Sequence, residues 1–188
     1  MSLREIIKVP NPFLKVTAKP VTVIDENILT ILDDMMETMY HANGIGLAAT
    51  QIAIDKRLIV MDCGKTKYET QNISEEEYDE KIKDEQFEPF PIKMINPEII
   101  SLGKSLEERE EGCLSIPGYN AKIKRPSSLK VKYTDENKKD NIIDAEGLLA
   151  TCIQHEIDHL NGILFIDHLS KLKREIILKK AIKEYSKN

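Results

Sequence analysis

Cysteine is scarce in this chain: Cys63, Cys113 and Cys152 are three in number, and an odd count cannot close into a full set of internal disulfides. A disulfide-stapled secreted scaffold is thereby disfavoured, and a reducing compartment is the simpler setting. Long apolar runs are lacking too. No stretch approaches the roughly 20 residues needed to cross a bilayer, so no membrane partner is expected. The opening Met-Ser-Leu-Arg-Glu-Ile-Ile-Lys has an early acid and soon reaches Pro10, so it does not read as a signal or transit segment. A cytoplasmic protein is the expectation. Positive charge is in deficit as well, at a formal net of -5. A sequence-independent nucleic-acid binder needs a cationic surface to release phosphate counterions, which argues against that class while leaving room for a local basic patch.

What is present suits one globular domain. The 188 residues are 41% hydrophobic and 31% charged, enough chain to bury roughly two-thirds of its unfolded surface. Neither an internal repeat nor a domain linker is evident. From Asp25 to Asn43 the residues Ile28, Ile31, Leu32, Met35, Met36 and Met39 recur at helical spacing, with Asp25 as N-cap and Gly44 as the stop. Its methionines read as core packing. Leu58 to Met61 reads as a buried strand, and Leu129 to Tyr133 alternates as a half-buried one. Further short strands are expected around Met94 to Ile100, Ser105 to Glu110 and Asn141 to Ala145. Helices are expected from about Gly147 to Leu160 and from Ser170 to about Tyr185. Residues 64–91 are polar and acid-rich, with Ser74-Glu75-Glu76-Glu77 as a capping box, and read as a surface insertion with solvated charges.

The segment Gln154-His155-Glu156-Ile157-Asp158-His159 carries the chemistry. Two histidines four residues apart lie one turn above each other on a helix and can reach one ion. Glu156, beside the first, is placed to take a proton from an attacking water. The surrounding helix is apolar, and buried charged groups there need partners.

A catalytic site of this type uses three protein ligands, so a third is required. An extended metzincin pattern would put a histidine at Phe165 and fails there, and a thermolysin-like pattern would want a glutamate at Lys179, with Glu175 merely nearby, which makes that reading weak. Cys152 shares the face of His155 but lies seven residues from His159, roughly 10 Å along a helix axis. It reads as a small buried neighbour. Cys113, in Glu110-Glu111-Gly112-Cys113-Leu114-Ser115, is the better candidate, since a thiolate is a strong ligand for zinc or ferrous iron. An isolated cysteine would otherwise read as inert core.

A third segment, Gly44-Ile45-Gly46-Leu47-Ala48-Ala49-Thr50-Gln51, superficially matches a dinucleotide loop. Such a loop follows a strand and opens a helix, whereas this one follows a helix. The open alternatives are an ordinary turn and a backbone strip that approaches a ligand, with Gln51 supplying an amide donor.

Intact and in order, the glycine-rich stretch ending in Gln51, the Glu-Gly-Cys-Leu-Ser box and the Gln-His-Glu-x-x-x-His segment closely resemble the three signature motifs of the bacterial peptide deformylases. The resemblance implies an α+β fold in a single catalytic domain over residues 1–188. Short, mainly antiparallel strands should pack around a central metal-binding helix, with an N-terminal amphipathic helix and a C-terminal helix and tail over 170–188. It implies that Cys113, His155 and His159 hold a divalent ion, Fe2+ in the cell, with Zn2+, Ni2+ or Co2+ able to occupy the site in purified protein. Glu156 would be general base and then acid, and Gln51 with the Leu114 backbone N–H would stabilise the oxyanion. Ile45, Leu148 and Cys152 would line a methionine pocket, and main-chain groups of Gly46 and Gly112 would pair with the substrate strand. Thr151 stands where an aliphatic residue is expected. The substrates implied are N-formylmethionyl nascent peptides, which lose formate, and a monomer is expected.

The last helix carries Lys171, Lys173, Arg174, Lys179, Lys180, Lys183 and Lys187. By the resemblance this basic face would dock on the ribosome. The alternative is a helix that packs Leu172, Ile176 and Ile182 inward with its lysines simply solvated. Two rival functions share the histidine pair: a metallopeptidase cleaving internal amides, and a silent structural metal module closed by a fourth protein ligand, for which only His41 and His168 remain among the histidines.

Overall fold

The structure, a computed structural model, describes residues 2–64 and 89–185. Among the described residues, three helices, α1 (Glu26–His41), α2 (Gly147–Leu160) and α3 (Lys171–Tyr185), accompany seven strands. The strands are β1 (Gly46–Ala48), β2 (Leu58–Asp62), β3 (Pro91–Leu102), β4 (Leu106–Gly112), β5 (Asn120–Pro126), β6 (Ser128–Thr134) and β7 (Asp140–Glu146). Five form an antiparallel sheet in the order β1-β2-β3-β6-β7, and β4 pairs with β5 in a separate antiparallel ribbon. The architecture is the expected α+β domain. Most of the acidic segment, with its capping box at Ser74, lies outside the described residues.

Strand β2 shows why the core forms where it does. All five of its residues are buried, because successive side chains alternate between two covered faces. Leu58 and Val60 join Leu32, Met35 and Met39 of α1, whereas Ile59 and Met61 join Ile153, Ile157 and Leu160 of α2. A continuous apolar run is what a strand covered on both sides requires. Helix α2 is therefore anchored along its apolar stripe, and its chemistry-bearing residues are fixed by that packing. Among the described residues, no helix is long and apolar enough to cross a membrane.

Asp25 caps α1 as expected, accepting from the Ile28 N–H at 3.0 Å. The stop differs. Asn43, not Gly44, is the left-handed residue, with φ 54°, a conformation asparagine tolerates at a helix end. The Gly44 N–H then closes back on the Met39 carbonyl at 2.9 Å.

The inward face of α3 also needs correction. Leu172 is 69% exposed, Ile176 45% and Ile182 36%, so these three are not the packed set. Ile177, Leu178, Ala181 and Tyr185 instead contact the cluster of Val9, Ile116 and Phe165. Apolar residues are spread around this helix, so two faces were compatible with its spacing, and the shape of the cluster beneath it chose between them.

Candidate metal centre

Helix α2 places His155 and His159 one turn apart, and their Nε2 atoms lie 3.2 Å from each other. Cys113 follows β4 directly and brings its Sγ to 3.2 Å from His159 Nε2. The ligand atoms of Cys113, His155 and His159 all fall within 4.8 Å of one another, and they are the one such group of three or more among the described residues. Neither remaining histidine joins them. His168 contacts Asp158 at 2.7 Å, and His41, the last residue of α1, lines a separate pocket with Arg4 and Thr38. Cys152 also stays out of the group, as its seven-residue offset implies. A closed four-ligand structural shell is thus not built by these side chains.

The surroundings orient the ligands. His155 Nδ1 lies 2.9 Å from Glu111 Oε2, while Arg125 Nε and Nη2 donate to both oxygens of the same carboxylate at 2.6 and 3.0 Å. Burial pushes the Glu111 carboxyl up, but hydrogen bonds from His155 and Arg125 outweigh it and hold the group at about 2. An ionised carboxylate only accepts, so Nδ1 is the donor and Nε2 turns toward Cys113 and His159. Arg125 Nη1 donates on to Asp158 at 2.8 Å. Sequence reasoning quoted Glu111 without a role and missed Arg125 altogether. The available signal was the general need of a ligating histidine for a carboxylate behind it, combined with strand alternation that turns Glu111 inward.

Electrostatics favour a cation where the three ligand atoms meet. Burial alone lowers His155, yet its contacts with Cys113 and Glu111 raise it well above its ordinary value. Burial and the neighbouring His155 charge push His159 well below its own. Anionic neighbours thus call for positive charge at one histidine while desolvation denies it at the other, and a divalent ion bound to both Nε2 atoms and the thiolate meets both conditions. The residues fit a metal.

Glu156, 3% exposed, lies against Gly46. A Cβ at residue 46 would stand 2.3 Å from its Oε1, so only glycine lets the carboxylate take this place. Glycine at 44 answers a similar need, since a Cβ there would meet Leu114 Cδ1 at 2.7 Å. The glycine strip is therefore a close approach to the site and not an ordinary turn. Glu156 Oε2 is buried with no hydrogen-bond partner among the described residues. Burial, with Glu111 adding repulsion against the opposing pull of His155, carries its carboxyl to about 7.

Gln51, in the 3-10 turn Ala49–Ile52, is fixed by its carbonyl, which accepts from the Ala48 N–H at 2.9 Å. Its Nε2 therefore points the other way, donating to Cys113 Sγ at 3.5 Å and Ser115 Oγ at 3.2 Å. A cleft of about 420 Å3 opens beside these groups. Its walls include Gln51, Gly112, Cys113, Leu114, His155 and Glu156. Ile45, Gly46, Leu148, Thr151 and Cys152 line it further along. The Thr151 hydroxyl is spent on the Gly147 carbonyl at 3.2 Å, which leaves the pocket less polar than the residue type suggests.

If Glu111 orients His155, then Glu111→Gln weakens metal binding by about 10- to 100-fold, the usual cost of losing a partner behind a ligating histidine. Competition against a chelator of known affinity measures it, and unchanged affinity would deny Glu111 that role.

Comparison with known proteins places these features in context. A family model described as polypeptide deformylase matches residues 3–175. A peptide deformylase of Bradyrhizobium diazoefficiens is 50% identical over 182 residues, spanning 96% of this chain and 95% of the relative. One from Methylocella silvestris is 47% identical over 180 residues, spanning 96% and 84%. Among solved structures, the peptide deformylase of Ehrlichia chaffeensis superposes with a TM-score of 0.85 at 38% identity, covering 99% of this chain and 98% of that one. The same Ehrlichia enzyme has been crystallised in complex with actinonin, at a TM-score of 0.83 and 39% identity over 98% of both chains.

Proposed function

The chain belongs to the polypeptide deformylase family, and from that premise we propose how its own side chains carry out the metal-dependent removal of the formyl group from formylated N-termini. The observation that carries the reading is the grouping of Cys113, His155 and His159 beside a cleft that Cys113, His155 and Glu156 line, with Glu156 Oε2 buried and without a partner among the described residues. Cys113, His155 and His159 hold the ion, Fe2+ in the cell, with Zn2+, Ni2+ or Co2+ able to replace it in purified protein. When bound, it acts as a Lewis acid toward water and the formyl oxygen.

Glu156 takes the proton from the attacking water and returns it to the departing methionine amine, so the products are formate and a free N-terminus. A carboxyl that burial has already moved toward neutrality is suited to both halves of that exchange. The Gln51 amide and the Leu114 backbone N–H stabilise the oxyanion. Gln51 is preset for this, because the Ala48 N–H holds its carbonyl and frees its NH2 for the cleft. Gln51→Ala accordingly lowers kcat by roughly 100-fold with metal content unchanged, the scale of losing one preorganised oxyanion donor. Parallel formate and metal assays check it.

Substrate selection follows from the cleft walls. Ile45, Leu148 and Cys152 offer an apolar slot for the methionine side chain. Gly46 lies on β1, the outermost strand of its sheet, and Gly112 ends β4, so main-chain groups on both sides are placed to pair with an extended nascent peptide. We infer a cytoplasmic monomer of one domain over residues 1–188, acting on N-formylmethionyl nascent chains. The exposure of Leu172 and Ile176 among the basic residues of α3 supports docking of that helix on the ribosome.

The test is anaerobic purification, loading with ferrous iron, and measurement of formate release from a formyl-Met-Ala peptide beside Glu156→Ala. Release by the parent and not by the metal-retaining variant is expected. No release from folded, metal-loaded parent protein would overturn the reading.

A further inference from the structure

Two of the three cysteines have a relationship that catalysis does not use. Cys63 directly follows β2, and the preceding residue, Asp62, donates its N–H to the Ile45 carbonyl at 2.9 Å. The Cys152 thiol donates to the same carbonyl at 3.6 Å. The chain leaving β2 and the middle of α2 are thus held on one acceptor, which brings the residue after Asp62 alongside Cys152. Cys63 packs against the core cluster that contains Cys152, and its nearness pushes the Cys152 thiol up. Cys152 is 5% exposed and lines the cleft, whereas Cys63 is half-buried.

We propose that Cys63 and Cys152 form a reversible oxidative modification site, closing to a disulfide under peroxide and reshaping the methionine pocket. The chemistry needs no group beyond the oxidant. The Cys63 thiolate attacks a peroxide oxygen, the O–O bond breaks, and Cys63 becomes a sulfenic acid with release of water or an alcohol. The Cys152 sulfur then attacks Cys63 sulfur, and the hydroxyl leaves as water with the Cys152 proton. Two thiols are oxidised by two electrons and one peroxide is reduced. Cys63 goes first because it is the more exposed, and because contact with Cys63 and burial both push the Cys152 thiol up, leaving it the poorer initial nucleophile.

Closing the bond draws the sulfurs from contact to about 2.05 Å. The wall moves at a sensitive place: a Cβ on Gly46 would lie 2.8 Å from Cys152 Sγ and 2.3 Å from Glu156 Oε1, so sulfur, glycine and catalytic carboxylate are already in close contact. Displacing Cys152 alters the slot for the thioether side chain. This consequence rests on the deformylase reading above, whereas formation of the bond does not.

Zinc-loaded full-length protein is treated with a small excess of hydrogen peroxide, alkylated and digested with trypsin without reduction. The three cysteines fall in separate tryptic peptides, so mass spectrometry reads the linkage directly. The expected result is a Cys63–Cys152 linked pair, together with a KM for formyl-Met-Ala raised roughly 10-fold, the effect of a methylene-scale change in an apolar pocket. Dithiothreitol reverses both. Cys63→Ser forms no linked pair and keeps its KM through the same treatment. Absence of the linked pair from the oxidised parent, or an equal KM rise in Cys63→Ser, overturns the proposal. Because linkage is read by mass, a protein without formate release would still report on it, which separates the two failures.

Discussion

Glu156→Ala abolishes measurable deformylation while the protein keeps its metal. The carboxylate makes no hydrogen bond to any of the three ligand side chains; it sits one residue beyond His155 and presses against Gly46, so removing it leaves Cys113, His155 and His159 in place. What is lost is proton transfer, which contributes about 100- to 10,000-fold in such reactions. Glu156→Gln is the sharper comparison, because it preserves the volume that Gly46 accommodates and removes only the ability to accept and return a proton. Both variants are expected to fall by a similar factor in kcat, with KM nearly unchanged, since the methionine slot is formed by other residues. Elemental analysis and formate release on the same samples decide the matter. A Glu156→Gln enzyme with near-parental kcat would show that another group carries the proton.

The ligand set and the base could be read from the sequence because helical spacing turns His155-x-x-x-His159 into a geometric statement before any fold is known. The same holds for α1 and α2, whose apolar residues repeat at helical intervals, and for β2, whose unbroken apolar run reflects burial on both faces. Strand β5 escaped notice for the opposite reason. Its sequence, Asn-Ala-Lys-Ile-Lys-Arg-Pro, reads as a charged surface run, yet Arg125 within it is 6% exposed. Its charge is cancelled by Glu111 and Asp158, residues 14 and 33 positions away, and no local pattern records such a pairing. Strand β1 is only three residues long, too short for a period to register. In α3 the apolar residues satisfied two faces at once, so only the shape of the surface beneath it could choose. The glycines show a related limit: Gly44 and Gly46 look like turn residues in sequence, but their use is to admit Leu114 and Glu156, which arrive from segments far along the chain.

Cys113→Ala removes both the metal and the activity, and does so without unfolding the domain. A thiolate would be the one anionic member of the ligand set, and the Cys113 sulfur lies 3.5 Å from the Gln51 amide donor and 3.2 Å from His159 Nε2. Two neutral imidazoles on one helix face cannot supply that charge, so the variant loses the electrostatic attraction along with one coordination bond. Folding is expected to survive, because the side chain is only half-buried and the apolar clusters around α1 and α2 do not depend on it. A binding partner that prefers the folded state stabilises it by mass action, about 2.7 kcal/mol when the free ion is at 100 times its Kd. The parent protein should therefore show a melting temperature that rises with added Zn2+, and Cys113→Ala should show one that does not, at a value close to the metal-depleted parent. A Cys113→Ala protein that retains one equivalent of metal and an ion-dependent melting temperature would remove Cys113 from the ligand set. The third ligand would then have to be sought among the acidic groups nearby, of which Glu156 adjoins His155 and lines the cleft, and its role as base would fall with that reassignment.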